Sequence, residues 1–246
     1  MLTIIKGPRG SGKTAWLVRE LLMIKRRPVI TNIALGYWHN VRVLRLTDGH
    51  YVTERVFIIK PPRNCHYIRS ADMSVERLIS LARDLRRKHG KESLVLAVDE
   101  GGIKWDSRYK AQTAQRNFWL RFYRVSRHFG FDDVYVVVQV ETSLDAQIRN
   151  LADVVYDLRN LRIIFPMLFG WIPWPFGVSR RRIGGDEGVP ITGLRWPFYM
   201  IFPWTFRRYD HRQFRDEFQA ELDDFRAQIA IQKRKEDNER LKVMVS

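Results

Sequence analysis

The sequence predicts an α/β fold in which a mostly parallel central sheet is flanked by helices. Strand-like and helix-like patterns alternate over residues 1–160, as expected when helices connect parallel strands. Two continuous apolar runs, Leu94–Val98 and Val134–Val138, are typical of central strands that are covered on both faces. A glycine-rich loop at residues 7–14 follows a short apolar run and precedes a helical pattern.

That loop reads Gly-Pro-Arg-Gly-Ser-Gly-Lys-Thr and matches the phosphate-binding pattern G-x-x-x-x-G-K-[ST] at every fixed position. Leu2–Ile5 before it predicts a buried strand, and residues 14–22 contain no helix breaker. Backbone N–H groups in such a loop face phosphate oxygens, and the dipole of the following helix favours negative charge there. The sequence therefore predicts a P-loop NTPase that binds ATP through Gly7, Pro8, Arg9, Gly10, Ser11, Gly12, Lys13 and Thr14.

Four side chains are predicted to carry the chemistry. Lys13 is expected to reach the β- and γ-phosphates, and the Thr14 hydroxyl is expected to bind Mg²⁺. The Leu94–Val98 run closes on Asp99-Glu100, a Walker B pattern. Asp99 is expected to hold Mg²⁺ directly or through water, and Glu100 to orient and polarise the attacking water. A small-molecule kinase does not need that second carboxylate, so the pattern favours a Mg²⁺-dependent ATPase.

A sensor and a trans-acting cation are further candidates for catalytic roles. Gln139 ends the Val134–Val138 run, where it is expected to contact the γ-phosphate or the attacking water; the alternative is an ordinary loop hydrogen bond. Arg124, Arg127 and Arg149 are candidate arginine fingers, which a neighbouring subunit supplies to the transferring phosphoryl group. We favour Arg127 among them, although each arginine also suits a surface or nucleic-acid contact.

The remaining elements of residues 1–160 follow from periodicity. Further strands are expected at Val29–Ile33 and Val52–Ile59, and helices at Val75–Lys88, 112–128 and Leu144–Leu158. An aromatic face is expected on the helix at 112–128, formed by Phe118, Trp119, Phe122 and Tyr123.

Charge and composition restrict the partners. The 246 residues suffice for one large domain or for a domain with an appendage. The net charge of +16 indicates a polyanionic partner, either nucleic acid or an anionic membrane surface, unless it reflects only an arginine-rich solvated surface.

Cys65 is the only cysteine, which excludes an intrachain disulfide and fits a reducing cytoplasm. The P-loop begins at Gly7, so no signal peptide is expected, and the scattered histidines predict no structural metal.

The composition changes after residue 160. Two uncharged apolar runs, Ile163–Val178 and Trp196–Phe206, are each followed by arginines. The first spans 16 residues, short of the roughly 20 that a transmembrane helix needs, and its prolines oppose a straight helix. Tryptophans beside arginines nevertheless resemble membrane-interface chemistry. An interfacial or re-entrant membrane segment, an inter-subunit surface and a proline-rich cap on the core all remain open.

Three regions are therefore predicted. Residues 1–160 form the ATPase domain, and 161–209 form an aromatic, proline-rich apolar segment that is membrane-associated or inter-subunit. Residues 210–246 are expected to form a charged amphipathic C-terminal helix that serves as a packing face or short coiled coil. Its apolar stripe comprises Phe214, Phe218, Leu222, Phe225 and Ile229.

Taken together, these residues resemble the zonula occludens toxin (Zot)-like ATPases, which include the assembly ATPases of filamentous phages. The resemblance covers about residues 1–160. Besides the P-loop, it rests on Thr31-Asn32-Ile33, Asp99-Glu100, Phe129-Gly130, Gln139, Leu144-Asp145 and Ile148-Arg149-Asn150.

The resemblance implies an FtsK/HerA-type motor that works as a homo-oligomeric ring, usually a hexamer. It implies ATP and Mg²⁺ as cofactors, and a role in virion assembly and export at the cytoplasmic face of the host inner membrane. Implied partners are DNA or a DNA–protein virion and other phage assembly proteins.

The chain departs from that family after residue 160, where filamentous-phage proteins carry one clear transmembrane helix. The alternative is a soluble DNA-translocating ATPase that packages a viral genome, which would explain the +16 charge through phosphate contacts. A GTPase switch is disfavoured, since the sequence lacks an Asn-Lys-x-Asp motif.

Overall fold

The computed structural model describes residues 1–44, 51–90, 93–101, 113–139, 144, 146–160, 175–182, 198–200, 205 and 208–210. The chain divides into two compact units, Met1–Tyr209 and Asp210–Ser246. The predicted C-terminal helix and most of the two apolar runs after residue 160 lie outside the described residues.

The strands of the described regions are β1 (Leu2–Lys6), β2 (Val29–Thr31), β3 (Gly36–Leu44), β4 (Tyr51–Ile59), β5 (Cys65–Tyr67), β6 (Leu94–Val98), β7 (Phe131–Val138), β8 (Val154–Asn160), β9 (Pro175–Arg182) and β10 (Phe198–Met200). The helices are α1 (Lys13–Met23), α2 (Val75–His89), α3 (Thr113–Val125) and α4 (Ala146–Asn150), with a 3₁₀ turn at Ser126–Phe129.

A single eight-stranded sheet organises the first unit, in the order β10-β9-β8-β1-β7-β6-β2-β5. The six strands from β8 to β5 are parallel, and β1 lies between β7 and β8. Strands β9 and β10 extend the sheet beyond β8 with antiparallel pairing. The predicted α/β fold with a mostly parallel sheet is confirmed.

Two hydrophobic clusters cover the two faces of this sheet. On one face, α1 packs through Trp16, Leu17 and Leu21 against the side chains of Val95 and Ala97 and their neighbours. On the other face, α2 and α3 pack against alternate residues of the same strands, among them Ile4, Leu96, Val98 and Val136. All five residues of β6 are buried, which is why this strand reads as one continuous apolar run.

The aromatic face predicted on the helix at 112–128 is present, with one exception. Trp119, Phe122 and Tyr123 are buried, and Phe122 contacts Phe131 of β7 edge-on at 5.5 Å between ring centroids. Phe118 was expected on the same face but is 44% exposed. At helical spacing, residue 118 lies about 40° farther from the centre of the buried stripe than residue 122, so its ring reaches solvent.

The helix predicted over Leu144–Leu158 is wrong for most of its length. The helix α4 covers only Ala146–Asn150, and β8 begins at Val154. In this segment, the pairing of β8 with β1 outweighs the helical spacing of the apolar residues. The Leu2 N–H donates to the Asp153 carboxylate at 2.6 Å, and the Asp153 N–H donates to the Leu2 carbonyl at 2.8 Å. Hydrogen bonds across 151 residues of sequence are invisible to a local pattern.

Strands β3 and β4 form a separate antiparallel hairpin. The pattern at Val52–Ile59 predicts β4, whereas polar residues interrupt β3 and hide it from a search for apolar runs. The base of the hairpin is braced by Trp38 against Phe57 and by the Arg55 guanidinium over the Trp38 ring. Its outer part, from His39 to Arg42 on β3, is exposed.

The region after residue 160 contributes to the same compact unit. Strand β9 lies partly within the first predicted apolar run, and β10 lies within the second. Near the end of the unit, the Gly36 N–H donates to the Arg208 carbonyl, and Tyr209 forms a β-bridge with Leu35. The predicted membrane or inter-subunit role of 161–209 stays a prediction. Within the described residues, no helix combines the length and apolar character that crossing a membrane requires.

Replacing Phe122 by Ala should lower the free energy of unfolding by about 3–5 kcal/mol, because it leaves a cavity among buried aromatic rings. Urea unfolding of the purified protein measures this loss. The matched control is Phe118→Ala on the same helix, which should cost less than about 1 kcal/mol because that ring is largely exposed. Equal losses in the two variants would contradict the packing of α3 described above.

Candidate nucleotide-binding and hydrolysis site

The P-loop connects β1 to α1 at the carboxyl edge of the sheet, where ligands bind in folds of this kind. Gly10 and Gly12 adopt left-handed backbone angles, with φ of 74° and 82°. Gly7 has φ of 152°, and a Cβ there would lie 2.3 Å from the Leu158 carbonyl oxygen of β8. Only glycine allows the loop to pass this close to the neighbouring strand.

Within the loop, Ser11 is fully buried, and its hydroxyl has no hydrogen-bond partner among the described residues. The loop's outer residues Pro8, Arg9 and Gly10 are exposed. Asn160 at the end of β8 donates a long hydrogen bond of 3.4 Å to the Gly10 carbonyl. A buried polar atom without a partner is uncommon in proteins, and here it lies inside a loop shaped to bind phosphate.

The Lys13 ammonium lies across its own loop. Its Nζ donates to the Gly7 carbonyl at 2.7 Å and to the Pro8 carbonyl at 2.9 Å. Burial lowers the pKa of this ammonium, whereas the negative charges of Asp99 and Glu100 act in the opposite direction. Lys13 is therefore within the electrostatic field of the Walker B pair, although the two are far apart in sequence.

A short hydrogen bond joins the two residues predicted to bind Mg²⁺. The Thr14 hydroxyl donates to Asp99 Oδ2 at 2.6 Å. Asp99 is buried, and burial raises the pKa of its carboxyl, opposed by hydrogen bonds from the Thr14 hydroxyl and the Glu100 N–H. The parallel strands β1, β7 and β6 bring these two oxygen donors to one point at the carboxyl edge.

This donor set fits Mg²⁺, which favours oxygen ligands and commonly uses one or two protein oxygens together with substrate phosphates. Thr14 and Asp99 would hold the ion. When bound, it would neutralise charge on the phosphate oxygens.

Glu100 adopts a left-handed backbone conformation, with φ of 54°, and it is the only non-glycine residue with positive φ in the described regions. It directly follows Asp99 at the end of the Walker B strand and is half-buried. Strained backbone of this kind concentrates at functional sites, where surrounding structure holds it in place. Glu100 is therefore at the position predicted for a catalytic carboxylate, and its strained backbone conformation must be stabilised by neighbouring groups.

Gln139 is brought to the same edge. Its strand β7 lies between the P-loop strand and the Walker B strand, with Val138 paired to Lys6 and Val136 paired to Val98. Gln139 follows Val138 and is exposed. This position suits a sensor between the phosphate loop and Glu100, and the sensor role stays a prediction.

Comparison with known proteins decides the family. The family model described as Zonular occludens toxin (Zot) matches residues 1–167, which is more than half of the chain. The chain belongs to the Zot family. The resemblance inferred from the motifs is thereby confirmed, and the chain is a P-loop NTPase of that family. A search of the curated proteins finds no match to it.

Solved structures are similar to this Zot-family chain at low sequence identity. The N-terminal domain of zonular occludens toxin from Neisseria meningitidis is 18% identical, with a TM-score of 0.50, over 85% of this chain and 98% of that one. The genome packaging NTPase B204 from Sulfolobus turreted icosahedral virus 2, in complex with ATP-gammaS, is 16% identical, with a TM-score of 0.42, over 77% and 94% of the two chains. A DnaB-like replicative helicase is 11% identical, with a TM-score of 0.48, over 77% and 54%.

The candidate arginine fingers of the Zot-family chain lie away from its own P-loop. Arg127 is exposed in the 3₁₀ turn that precedes β7, and the Gly130 N–H donates to its carbonyl. That turn lies at the amino edge of the sheet, opposite the nucleotide edge. Arg124 hydrogen-bonds Gln147 of α4, and Arg149 follows on the same short helix. A finger role for Arg127 in a neighbouring subunit stays a prediction.

Two residues reach the site although sequence reasoning assigned them no chemical role. Asn32, which belongs to the Thr31-Asn32-Ile33 segment of the family resemblance, hydrogen-bonds the backbone of Asp99. Tyr209 is buried, and its phenol pKa is raised first by burial and then by the negative charge of Asp99. The sequence predicted a strand that runs to Ile33, whereas β2 ends at Thr31, so the position of Asn32 just beyond a strand end was not recognised. Tyr209 lies almost 50 residues beyond the predicted ATPase domain and had no local signal.

Gly7→Ala should abolish nucleotide binding and lower the melting temperature, because the new Cβ would collide with β8 backbone that cannot move alone. Gly10→Ala is the matched control, since a Cβ there meets nothing within 4 Å and costs only the left-handed strain of about 1–2 kcal/mol. Thermal melts and titration with a fluorescent ATP analogue measure both effects. Equal behaviour of the two variants would show that contact with β8 is unimportant.

Proposed function

We propose that this Zot-family chain is an ATP-hydrolysing motor for virion assembly or export. The observation that carries ATP hydrolysis is the convergence of Lys13, the bonded pair Thr14 and Asp99, and Glu100 at one edge of the sheet. Membership of the Zot family supports the role in virion assembly or export. Phosphate binding alone would need only the loop. The acid pair adds a position for a metal and a base, which hydrolysis requires.

In this proposal each residue has a separate task. The loop from Gly7 to Thr14 and the Lys13 ammonium bind the phosphates of ATP, and Glu100 accepts a proton from the attacking water. Gln139 contacts the γ-phosphate or that water from the neighbouring strand. Preorganised charge of this kind supplies most of the catalysis in phosphoryl transfer.

The motor is proposed to act as a homo-oligomeric ring, with a hexamer as the expected form and Arg127 supplied by the next subunit. Placement of Arg127 at the amino edge, remote from its own P-loop, is consistent with action in trans. We place the ring in the host cytoplasm at the cytoplasmic face of the inner membrane, together with other phage assembly proteins. The apolar runs followed by arginines and the +16 charge support contact with an anionic surface.

A soluble DNA-translocating ATPase that packages a viral genome is the second candidate. Its support is the same +16 charge together with four exposed cations on one helix. That helix, α2, carries Arg77, Arg83, Arg87 and Lys88 exposed to solvent.

Glu100→Gln should retain ATP binding but reduce kcat by on the order of 10²-fold or more, because the amide cannot accept the proton of water. Lys13→Ala should instead weaken nucleotide binding itself. Phosphate release with and without Mg²⁺, measured beside equilibrium binding of an ATP analogue, separates the two effects. Normal turnover by Glu100→Gln would refute the base assignment, and turnover in excess chelator would refute the Mg²⁺ requirement.

The two candidate functions differ in what stimulates hydrolysis. A packaging motor should be stimulated several-fold by double-stranded DNA, with stimulation that falls steeply as salt rises. A membrane-sited assembly motor should bind vesicles containing anionic lipid and respond to them instead. ATPase assays with DNA, with anionic vesicles and with neutral vesicles as control distinguish them. Absence of vesicle binding would count against the membrane siting, and absence of DNA stimulation at low salt would exclude the packaging role.

A further inference from the structure

Asn32 lies one residue beyond β2 and is 1% exposed. Its carboxamide forms two hydrogen bonds with one residue. The Asp99 N–H donates to Asn32 Oδ1 at 2.7 Å, and Asn32 Nδ2 donates to the Asp99 carbonyl oxygen at 2.9 Å. Because a backbone N–H only donates and a carbonyl only accepts, this pair fixes which way the carboxamide faces.

These two bonds extend the β-ladder by one step through a side chain. Strands β2 and β6 pair in parallel as far as Thr31 and Ala97, and β2 then ends. Asn32 supplies the partners that a further main-chain residue would have supplied to Asp99. Without them, a buried N–H and a buried carbonyl would lose their partners at the point where the Walker B strand enters the site.

The peptide group between Asp99 and Glu100 is held at both ends. Its carbonyl accepts from Asn32, and its N–H donates to Asp99 Oδ1 at 3.0 Å. Glu100 directly follows this fixed peptide group and adopts a left-handed φ of 54°. The hydrogen bonds thus provide the support that a strained residue needs at a functional site.

A third hydrogen bond connects the same carboxamide to the surrounding structure. Asn32 Nδ2 also donates to Ser70 Oγ at 2.9 Å. Ser70 belongs to the turn that leads into α2, where the Met73 N–H donates to the Ser70 carbonyl and Ser74 caps the helix. Asn32 is therefore tied to a second element besides the Walker B strand, which restricts its own movement.

We propose that Asn32 is a positioning residue for hydrolysis, which acts through the Asp99–Glu100 peptide to keep the Glu100 carboxylate directed at the attacking water. The inference rests on the proposed ATPase function and adds a residue to it. Asn32 acts on the backbone of the catalytic strand, whereas the P-loop acts on the phosphates. Its loss should consequently affect turnover and leave nucleotide affinity almost unchanged.

Asn32→Leu tests this directly, since leucine fills a similar volume but makes none of the three hydrogen bonds. The expected result is a fall in kcat of about 10- to 100-fold, as for other misplaced catalytic groups, with the affinity for an ATP analogue within about threefold of wild type. Parallel losses of affinity and turnover, or an unchanged kcat, would overturn the proposal.

The matched control is Asn64→Leu. Asn64 also ties distant backbone together, since its Nδ2 donates to the carbonyls of Ile24 and Arg27 at 2.6 and 3.1 Å, but it precedes β5 at the amino edge of the sheet. This variant should lower the melting temperature and leave kcat within about threefold of wild type. A fall in kcat as large as that of Asn32→Leu would show that general destabilisation causes the loss, and would overturn the proposal.

A double-mutant cycle with Glu100→Gln separates positioning from any independent role. If Asn32 acts through Glu100, adding Asn32→Leu to Glu100→Gln should change the single-turnover rate by less than about threefold. Two losses that multiply would overturn the proposal. Where Asn32→Leu does not fold, Asn32→Asp replaces it in the cycle, since it keeps the shape and loses the donor to the Asp99 carbonyl.

The same measurements test the proposed ATPase function separately from the positioning role of Asn32. Hydrolysis by the wild type and its loss in Glu100→Gln test the proposed function. A fully active Asn32→Leu protein would remove the positioning role alone, whereas a fully active Glu100→Gln protein would remove both.

Discussion

The parallel placement of β1 between β7 and β8 is the constraint on which the rest of this protein depends. It directs the carboxyl ends of β1, β7 and β6 to one edge, so the P-loop, Gln139 and the Walker B acids meet although they are far apart in sequence. Both faces of these strands are covered, by α1 on one side and by α2 and α3 on the other. The site thus lies at the ends of strands that are buried on both faces.

Charge at this edge is balanced within a small volume. Burial alone would discourage a charged Asp99 and a charged Lys13, because both lose water. Hydrogen bonds from Thr14 and Glu100 oppose the effect on Asp99, and two loop carbonyls accept hydrogen bonds from Lys13. Groups held in this way need little rearrangement when a charged ligand arrives, and such preorganisation is the main means of stabilising phosphoryl transfer.

Sequence reasoning succeeded where structure follows from neighbouring residues. Leu94–Val98 and the P-loop could be located because burial on both faces and tight turns leave local patterns. It failed where long-range pairing decides, as at β8, whose Val154 and Val155 were assigned to a helix but pair with β1. Asn32 shows the same limit. Its partner Asp99 is 67 residues away and the strand was predicted to continue to Ile33, so the sequence showed neither the strand end nor the two hydrogen bonds to the Asp99 backbone.

The contact between Gly7 and β8 has a mechanical consequence. Because a Cβ on Gly7 would lie 2.3 Å from the Leu158 carbonyl oxygen, added bulk at this point of the loop must displace the β8 backbone. Strand β8 is paired along its whole length with β9, from Val154 opposite Arg182 to Asn160 opposite Phe176. Strand β8 therefore joins the phosphate-binding loop to β9, the strand that ends in three consecutive arginines.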